Sequence, residues 1–289
     1  MRTLIGMVTY GNARYTKLAL DSVKEYDKFI VIGKFGDDET VELVKNYSHI
    51  YHTKNRGFPA SLNDIFDYFL NSTYDNLVLM GNDVIAYPYA IKSMEQLSTE
   101  YDWVSSNQIS VKDLIWIFPN LKESFKDNHG YKFDGSAPWE AFSGYEDKVE
   151  ILPAQLTDCQ NLNLYTKKAI LSVGYNDVNF WPNGYFGDND YVYRAKLAGV
   201  KSCTSKYSYY FHFWSRTIYE AEKNRQNNVY FERNKKYYIS KWGGLPEQEK
   251  FDKPFGDGMF HIGEKTFYKW NYDFNRDMEN YFISYWSSR

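Results

Sequence analysis

The feature that most constrains this chain is an alternation of short apolar runs and amphipathic segments that fills its first 106 residues. The apolar runs end near Val8, Ile32, Tyr51 and Met80, and the segments between them carry apolar residues at helical spacing. Strands and helices that alternate at this pace favour a parallel sheet with helices on both faces and ligands at the carboxyl ends of its strands. The sequence therefore predicts an α/β fold with a doubly wound, mostly parallel central sheet.

The remainder of the chain is less regular. A further strand is expected at 103–106, and the segment 107–153 loses clear periodicity, as an irregular excursion or lid would. Regularity then returns, with helices at 167–173 and 191–198, a strand near 207–212 and helical spacing over 223–242.

This organisation predicts one main domain over 1–244. Residues 1–106 would form its first half and residues 107–222 its second half. Residues 245–289 would follow as a polar, aromatic-rich extension, helical or irregular.

Charge and composition narrow the classes of function. Of the 289 residues, 19% are aromatic, and the net charge is −3. Proteins that grip nucleic-acid phosphates carry a basic surface, so nucleic acid is disfavoured as a partner, although a local basic groove is not excluded. Aromatic rings suit sugars and bases, and they suit the packing of a core equally well.

Cysteine usage and hydropathy indicate the compartment. Cys159 and Cys203 lack the spacing of a metal site or of a disulfide framework, which is typical of a reducing environment. The apolar stretch at the start of the sequence is shorter than a signal segment, and no later stretch approaches a membrane span. We therefore expect a cytoplasmic protein without a membrane span.

A polar pair, Asn82 and Asp83, directly follows the most apolar of the predicted strands. A carboxylate there would lie at the carboxyl edge of the sheet, and Mg²⁺ and Mn²⁺ prefer such oxygen ligands, which they share with substrate phosphates. Asp83 is therefore a candidate metal ligand. The alternative is a turn Asp that caps the next helix.

Two carboxylates, Asp188 and Asp190, lie two residues apart before a predicted helix that contains Arg194. A carboxylate at a helix N-terminus can cap the helix or act as a general base. One cap is sufficient, which leaves the other carboxylate for chemistry. His212 ends a predicted strand and precedes a polar cluster. It could therefore be a metal ligand or a structural residue, and the sequence favours neither role over the other.

In this order, the pieces resemble family 2 glycosyltransferases of the GT-A fold, which include rhamnosyltransferases and other bacterial and viral sugar transferases. The resemblance covers roughly residues 4–244 and rests on five weak motifs that occur in the family's order. Three motifs lie in the first half: Thr9-Tyr10-Gly11-Asn12 resembles the first donor loop, 55–63 an Asn-x-Gly stretch with a later Asn, and 79–84 a degenerate DXD motif. Two lie further on: 186–190 with Arg194 resembles the Glu-Asp-x-Asp segment, and Lys241-Trp242-Gly243-Gly244 resembles a C-terminal signature.

The resemblance implies an inverting transfer of a hexosyl or deoxyhexosyl group from a nucleotide-diphosphate sugar to a carbohydrate or other acceptor hydroxyl. Residues 1–106 would then be the nucleotide-binding half, and residues 107–222 the acceptor and catalytic half. Asp188 would be the catalytic base, and Asp83 with His212 would hold a divalent metal, Mn²⁺ or Mg²⁺. The acceptor would contact Asp190 and Trp214. The donor-binding residues would be Thr9, Tyr10, Asn12, Asp38, Asn55, Gly57, Asn63, Asn82 and Asp83.

Two positions depart from the family's pattern. Gly33 stands where the second strand usually ends in an Asp that reads the nucleotide base, and Gly187 replaces the Glu that usually precedes Asp188. The resemblance therefore leaves base recognition open, and it assigns the catalytic base through Asp188 alone.

Three other functions stay open from the sequence. A sugar nucleotidyltransferase of related fold would need a Gly- and Arg-rich phosphate loop, which 9–14 matches poorly. A non-catalytic carbohydrate-binding protein would leave the Asp83 and Asp188 pair unexplained. A glycosyltransferase acting on DNA bases is disfavoured by the net charge.

Overall fold

The computed structural model describes residues 1–109, 151–152, 161–213 and 227–256. Several features expected from the sequence lie outside these ranges: Trp214, Cys159, most of the irregular segment 107–153 and the part of the extension from 257 onward. The division into domains accordingly stays a prediction.

The first half of the central sheet is parallel, as the sequence predicts. It consists of β1 (Thr3–Thr9), β2 (Asp27–Ile32), β3 (Ser48–Tyr51) and β4 (Asn76–Gly81), side by side in the order β3-β2-β1-β4. Val8 lies opposite both Val31 and Gly81. Because the strands are in step, the loops that follow β1, β2 and β4 open at one edge of the sheet.

The second half of the sheet is mixed. It contains β5 (Val84–Ala86), β6 (Trp103–Ile109), β7 (Ile151–Leu152), β8 (Leu162–Thr166) and β9 (Ser202–His212). The order continues β4-β8-β6-β9-β5, and β7 also pairs with β9. β8 runs antiparallel to both β4 and β6, while β6 and β9 are parallel. The parallel arrangement is thus interrupted at β8.

Seven helices lie within the described residues. They are α1 (Ala13–Asp21), α2 (Asp38–Val44), α3 (Phe58–Leu70), α4 (Ala90–Leu97), α5 (Lys167–Val173), α6 (Gly187–Leu197) and α7 (Asn227–Trp242). Short 3-10 turns occupy Val178–Phe180 and Pro254–Gly256. α6 begins four residues before its predicted start, so Asp188 and Asp190 lie inside its first turn.

Both faces of the sheet are buried, because neighbouring residues of a strand point to opposite sides. On one face, Ile5 and Met7 of β1 pack in a cluster with residues of α1 and α4. On the other face, Leu4 packs in a cluster with residues of α3, α5 and α6. With the faces covered, the carboxyl edge of the parallel strands is where a ligand is expected to bind.

The helix α7 packs against α6 and the segment that precedes it. Its residues Tyr238 and Trp242 are buried in a cluster with Phe180. The backbone then folds back, since Phe251 N donates to Trp242 O over 3.1 Å. In the part of the chain that the structure describes, no helix is both long and apolar enough to cross a membrane.

Candidate active site

The loop after β1 is held at the open edge of the sheet by Asp37. Gly11 N donates to Asp37 Oδ2 over 3.0 Å, and Asp37 Oδ1 accepts from Thr40 N at the start of α2. Asp37 therefore caps α2 and joins two loops with one carboxylate. Sequence reasoning chose the neighbouring Asp38, which is exposed in the first turn of α2. Donor binding by Asp38 stays a prediction, whereas the loop contact belongs to Asp37.

The other predicted residues of the first loop surround its turn. Thr9 is fully buried, and its Oγ1 has no hydrogen-bond partner among the described residues. Asn12 adopts a left-handed conformation with φ 62° at the N-cap of α1 and makes no side-chain capping bond. Asn55 Nδ2 lies 3.5 Å from the Tyr10 hydroxyl. The first loop and the stretch before α3 are thus neighbours, as two walls of one pocket would be.

Gly57 lies where the predicted donor stretch meets the segment that leads to α6. Its φ of 84° is in the left-handed region, and a Cβ there would lie 2.2 Å from Trp181 Cδ1. A side chain is therefore excluded by both conformation and space. The contact is reinforced by Phe58 N, which donates to Pro182 O over 2.7 Å. The segment leading to Asp188 consequently packs directly against the 55–63 stretch.

Asn63 contacts a loop of the protein rather than the edge of the sheet. Its side chain is buried, donates to Asn176 O over 2.9 Å and accepts from Asn176 N over 2.7 Å. Both functional groups of the amide are used across 113 residues of sequence. The described position of Asn63 is thus that of a tether between α3 and the loop after α5.

The two residues of the polar pair after β4, Asn82 and Asp83, contact different parts of the protein. Asn82 Nδ2 donates to Thr16 Oγ1 over 3.2 Å and to Gly11 O over 3.4 Å, which fixes the first loop to the end of β4. Asp83 Oδ1 lies 3.2 Å from Nε2 of His212, at the end of β9. The side chains of Asp83 and His212 are 9% and 14% exposed. The structure therefore brings together the two side chains that the sequence predicts as metal ligands.

Asp188 lies in the first turn of α6 and is half-buried. Its Oδ1 accepts a hydrogen bond from Asn189 N over 2.7 Å. The N-cap position itself is taken by Phe186, in a left-handed conformation with φ 64° and without a side-chain capping bond. Gly187 packs against Phe180, where a Cβ would approach to 3.2 Å. This tight contact gives a physical reason for Gly in place of the family's Glu.

Asp190 is neither a surface group nor a helix cap in the structure. It is fully buried, its Oδ2 accepts from Arg194 Nε over 2.9 Å, and its Oδ1 accepts from Lys241 Nζ and Trp242 Nε1 over 2.6 and 2.9 Å. Its place in the core corrects the predicted contact with an acceptor, because the protein itself surrounds the carboxylate. The same place corrects the expected capping role.

Opposing effects set the pKa of Asp190. Burial by itself would raise the pKa, but the charges of Lys241 and Arg194 and the hydrogen bonds from Lys241 and Trp242 outweigh burial and hold the pKa below its usual value. Lys241 also lies 2.7 Å from Asp177 Oδ2. Asp177, Asp190, Arg194 and Lys241 are named the buried charge network below.

Sequence reasoning missed two groups in this region. Asp177 of the buried charge network follows α5 and looks like an ordinary turn residue, so nothing in its local sequence points to a buried partner at Lys241. The second group follows β3, where His52 Nε2 lies 2.8 Å from Asp64 Oδ2 and Arg56 Nη1 lies 3.0 Å from the same oxygen. The position of His52 directly after a strand was an available signal.

Aromatic side chains of the segment before α6 contact aromatic side chains at the start of α7. The ring of Trp181 is 5.7 Å from that of Tyr230, and the ring of Phe231 is 5.6 Å from Tyr185 and 5.2 Å from Phe186. Phe231 is 41% exposed, which is unusual for so large an apolar side chain. These rings lie next to the segment that carries Asp188.

No three His, Cys, Asp or Glu side chains in the described ranges cluster closely enough to hold a metal ion by themselves. A metal at the Asp83 and His212 pair would therefore need further ligands from water or substrate. Cys203 takes no part in the site: it is buried, and burial raises the pKa of its thiol to about 11.

Comparison with solved structures identifies the fold. The crystal structure of residues 1–349 of TarS from S. aureus matches with a TM-score of 0.50 and 12% identity, over 76% of this chain and 63% of that chain. A crystal structure of GalNAc-T7 with UDP, GalNAc and Mn²⁺ matches with a TM-score of 0.52 and 10% identity, over 73% of this chain and 44% of that chain.

The chain thus spans less than two thirds of the length of either structure. No family model matches the sequence, and no curated protein matches it. At 10 to 12% identity the likeness concerns the fold, and it confirms the GT-A fold predicted from the sequence.

Proposed function

We propose that this protein is an inverting glycosyltransferase that moves a hexosyl or deoxyhexosyl group from a nucleotide-diphosphate sugar to an acceptor hydroxyl. The observation that carries the proposal is the meeting of Asp83 and His212, 3.2 Å apart, at the open edge of a GT-A sheet. The GalNAc-T7 structure of the same fold contains UDP, GalNAc and Mn²⁺, which supports a nucleotide-sugar donor and a metal.

The Asp83 and His212 pair fits a divalent cation by chemistry and by spacing. Two ligand atoms about 2.1 Å from an octahedral ion and at right angles to each other lie about 3.0 Å apart. The distance of 3.2 Å between Asp83 Oδ1 and His212 Nε2 is close to this value. Mg²⁺ and Mn²⁺ commonly take one or two protein ligands and complete their shell with substrate phosphates. When bound, the metal would neutralise the charge of the departing diphosphate.

The donor would lie between the first loop and the stretch before α3. Tyr10, Asn12 and Asn55 lie on these two segments, and Thr9 Oγ1 is a buried hydroxyl at the end of β1 without a partner among the described residues. Asn82 and Asp37 hold the first loop, and Gly57 leaves room for the ring of Trp181 to pack against the stretch before α3. Asn63 would act on the donor only indirectly, through the loop that it tethers.

Asp188 is the proposed catalytic base. One of its carboxylate oxygens takes the proton of the acceptor hydroxyl while the hydroxyl oxygen bonds to the anomeric carbon and the bond from that carbon to the diphosphate oxygen breaks. The configuration inverts because the nucleophile enters opposite the leaving group. A half-buried carboxylate in a first helical turn has the access that this step requires.

The acceptor side is proposed from position. Tyr185 and Phe231 lie beside the segment that carries Asp188, and their rings offer flat apolar surfaces of the kind that pack against sugar rings. The sequence-based contact with Trp214 lies outside the described residues and is retained as a proposal. A carbohydrate is therefore the acceptor class that this surface fits best.

A thermal-shift titration tests the proposal. A ligand that binds the native state stabilises it by about 2.7 kcal/mol at one hundred times its Kd. We expect UDP-, GDP- or dTDP-sugars to raise the melting temperature more with Mn²⁺ than with EDTA, and the effective donor to be slowly hydrolysed. If the melting temperature responds to none of these donors in Mn²⁺, the glycosyltransferase assignment is overturned.

A further inference from the structure

The Lys241-Trp242 pair is a motif to which the proposed mechanism gives no role, yet it lies at the centre of the buried charge network. Lys241 Nζ is 2.6 Å from Asp190 Oδ1 and 2.7 Å from Asp177 Oδ2. Trp242 Nε1 donates to the same oxygen of Asp190 over 2.9 Å. Both side chains are fully buried. Two consecutive residues at the end of α7 thus converge on one carboxylate in α6.

We propose that Lys241 and Trp242 are positioning residues for the catalytic base, an inference that rests on the proposed role of Asp188. Asp190 lies two residues beyond Asp188 in the same helical turn, and Arg194 holds its other oxygen from one turn further along α6. One oxygen of Asp190 is held from α7, and Arg194, which holds the other, also donates from Nη1 to Val173 O of α5 over 2.8 Å. These ties to two other helices fix the first turn of α6 in rotation and in height. The place of Asp188 is fixed with it.

The start of α6 is held locally by bonds from its own first turn and the preceding loop, in which Asn189 N donates to Asp188 Oδ1 and Gly187 N donates to Gly184 O. Phe186 occupies the N-cap position without a side-chain bond, and Gly187 contributes no side chain at all. The first N–H groups of a helix lack partners within the helix, and uncapped helix ends open readily. The bonds to Asp190 hold this end of α6 from within the core.

Charge balance determines how the anchor can be tested. The buried charge network contains two carboxylates, Asp177 and Asp190, and two cations, Lys241 and Arg194. Removing one member of a buried pair leaves an uncompensated charge, which is strongly destabilising. Lys241→Met is therefore combined with Asp177→Asn, so that Asp190 and Arg194 remain as a balanced pair.

Trp242→Phe is the milder variant, and the chain offers a matched control for it. The substitution removes the Nε1 donor to Asp190 but keeps an aromatic ring beside Tyr193, whose ring centroid is 4.9 Å from that of Trp242. Tyr238→Phe also removes one buried hydrogen-bond donor from α7, but the Tyr238 hydroxyl donates to Glu249 and not to Asp190. The two variants thus differ in whether Asp190 loses a bond.

Hydrogen exchange of a peptide covering 184–194 is the readout that does not depend on activity. Losing one hydrogen bond to a charged group corresponds to roughly a tenfold or larger change in a local equilibrium. We expect exchange in the first turn of α6 to be about tenfold faster in Trp242→Phe, and faster still in the double variant, but unchanged in Tyr238→Phe. Equal exchange in Trp242→Phe and Tyr238→Phe overturns the proposal.

Kinetics then connect the anchor to catalysis. We expect Trp242→Phe to lower kcat about tenfold, while the Kd of the donor with Mn²⁺ stays within about twofold of wild type. A kcat equal to that of Tyr238→Phe overturns the positioning role. A wild-type protein that neither transfers nor hydrolyses any sugar would instead overturn the proposed function, and faster exchange in Trp242→Phe would still uphold the anchoring of α6.

Discussion

Replacing Asp190 by Asn tests whether the buried charge network has the strength that its geometry indicates. Asp190 is fully buried and accepts from Arg194, Lys241 and Trp242. The amide keeps the shape but removes the negative charge, and its NH₂ group faces donors. Breaking a buried ion pair typically costs about 3 to 5 kcal/mol. At about 2 °C per kcal/mol for a chain of this size, the melting temperature should fall by roughly 6 to 10 °C.

Asp188→Asn is the matched control for Asp190→Asn, since both exchange a carboxylate for an amide in the same turn of α6. Asp188 is half-buried, so its substitution should change the free energy of unfolding by less than about 1 kcal/mol. Urea denaturation of both variants, with an unchanged m-value, measures the difference. Two variants of equal stability would refute the claim that Asp190 is tightly held by charge.

Acid denaturation gives a second measurement on Asp190→Asn. Because the pKa of Asp190 is held below its usual value, the carboxylate contributes stability that is present above its unfolded pKa of about 3.9. This contribution is lost as the pH falls through the lower, folded pKa. The gap in stability between wild type and Asp190→Asn should therefore be constant near neutral pH and should narrow below about pH 4.

The remaining predictions concern activity and packing. Asp188→Asn should bind donor with Mn²⁺ but lose about 10² to 10⁴ in kcat, and turnover near that of wild type would remove Asp188 as the base. Asp83→Asn and His212→Ala should each weaken donor binding in Mn²⁺ more than in EDTA, as calorimetry can measure; equal losses in both conditions would assign the pair a structural role. Gly57→Ala should lower stability by about 1 to 3 kcal/mol, since a Cβ would clash with Trp181; an unchanged urea midpoint would contradict this.

β1, β2 and β4 could be predicted from the sequence because each is short, apolar and followed by a clear turn or helix signal, and each ends within one residue of its predicted end. β3 is polar at its start and largely exposed, so its signal is weaker. The elements between β4 and β6 were not predicted. β5 has three residues, too few for periodicity, and α4 begins after Tyr89 in a left-handed conformation, without a capping side chain. Neither element gives a local signal.

The full length of β9 was hidden by its composition. Its first half contains Ser202, Thr204 and Ser205, which do not resemble a buried strand. In the structure Ser205 is fully buried and its hydroxyl is 3.0 Å from that of Ser93 on α4, while the hydroxyl of Ser208 is 2.7 Å from that of Ser106 on β6. Paired hydroxyls satisfy one another inside the core, and only the tertiary structure reveals such pairs.

Within the candidate site, the sequence predicted which segments meet but not what each side chain contacts. The sequence placed Asp83 and His212 at the ends of two predicted strands, but their meeting depends on β5, which pairs with β9 so that Val84 lies opposite His212. The burial of Asp190 depends on Lys241 and Trp242, about fifty residues later, and the tether of Asn63 on Asn176, 113 residues later. Partners so distant in sequence leave no trace in local periodicity. A motif can therefore indicate that a residue belongs to the site, but it does not show what the side chain contacts there.

The position of Lys241 also bears on how the protein is made. Lys241 follows its partner Asp177 by 64 residues, and at about 5 to 20 residues per second a ribosome needs roughly 3 to 13 seconds to add them. During that interval Asp177 has left the ribosome's active centre without the cation that it faces in the finished protein. Among the described residues, the two apolar clusters that cover the parallel strands contain no residue of α7, so the β-α units of this half are free to assemble first. The nascent segment that carries Asp177 and Asp190 should thus stay open to proteases and chaperones until α7 has been synthesised and has docked.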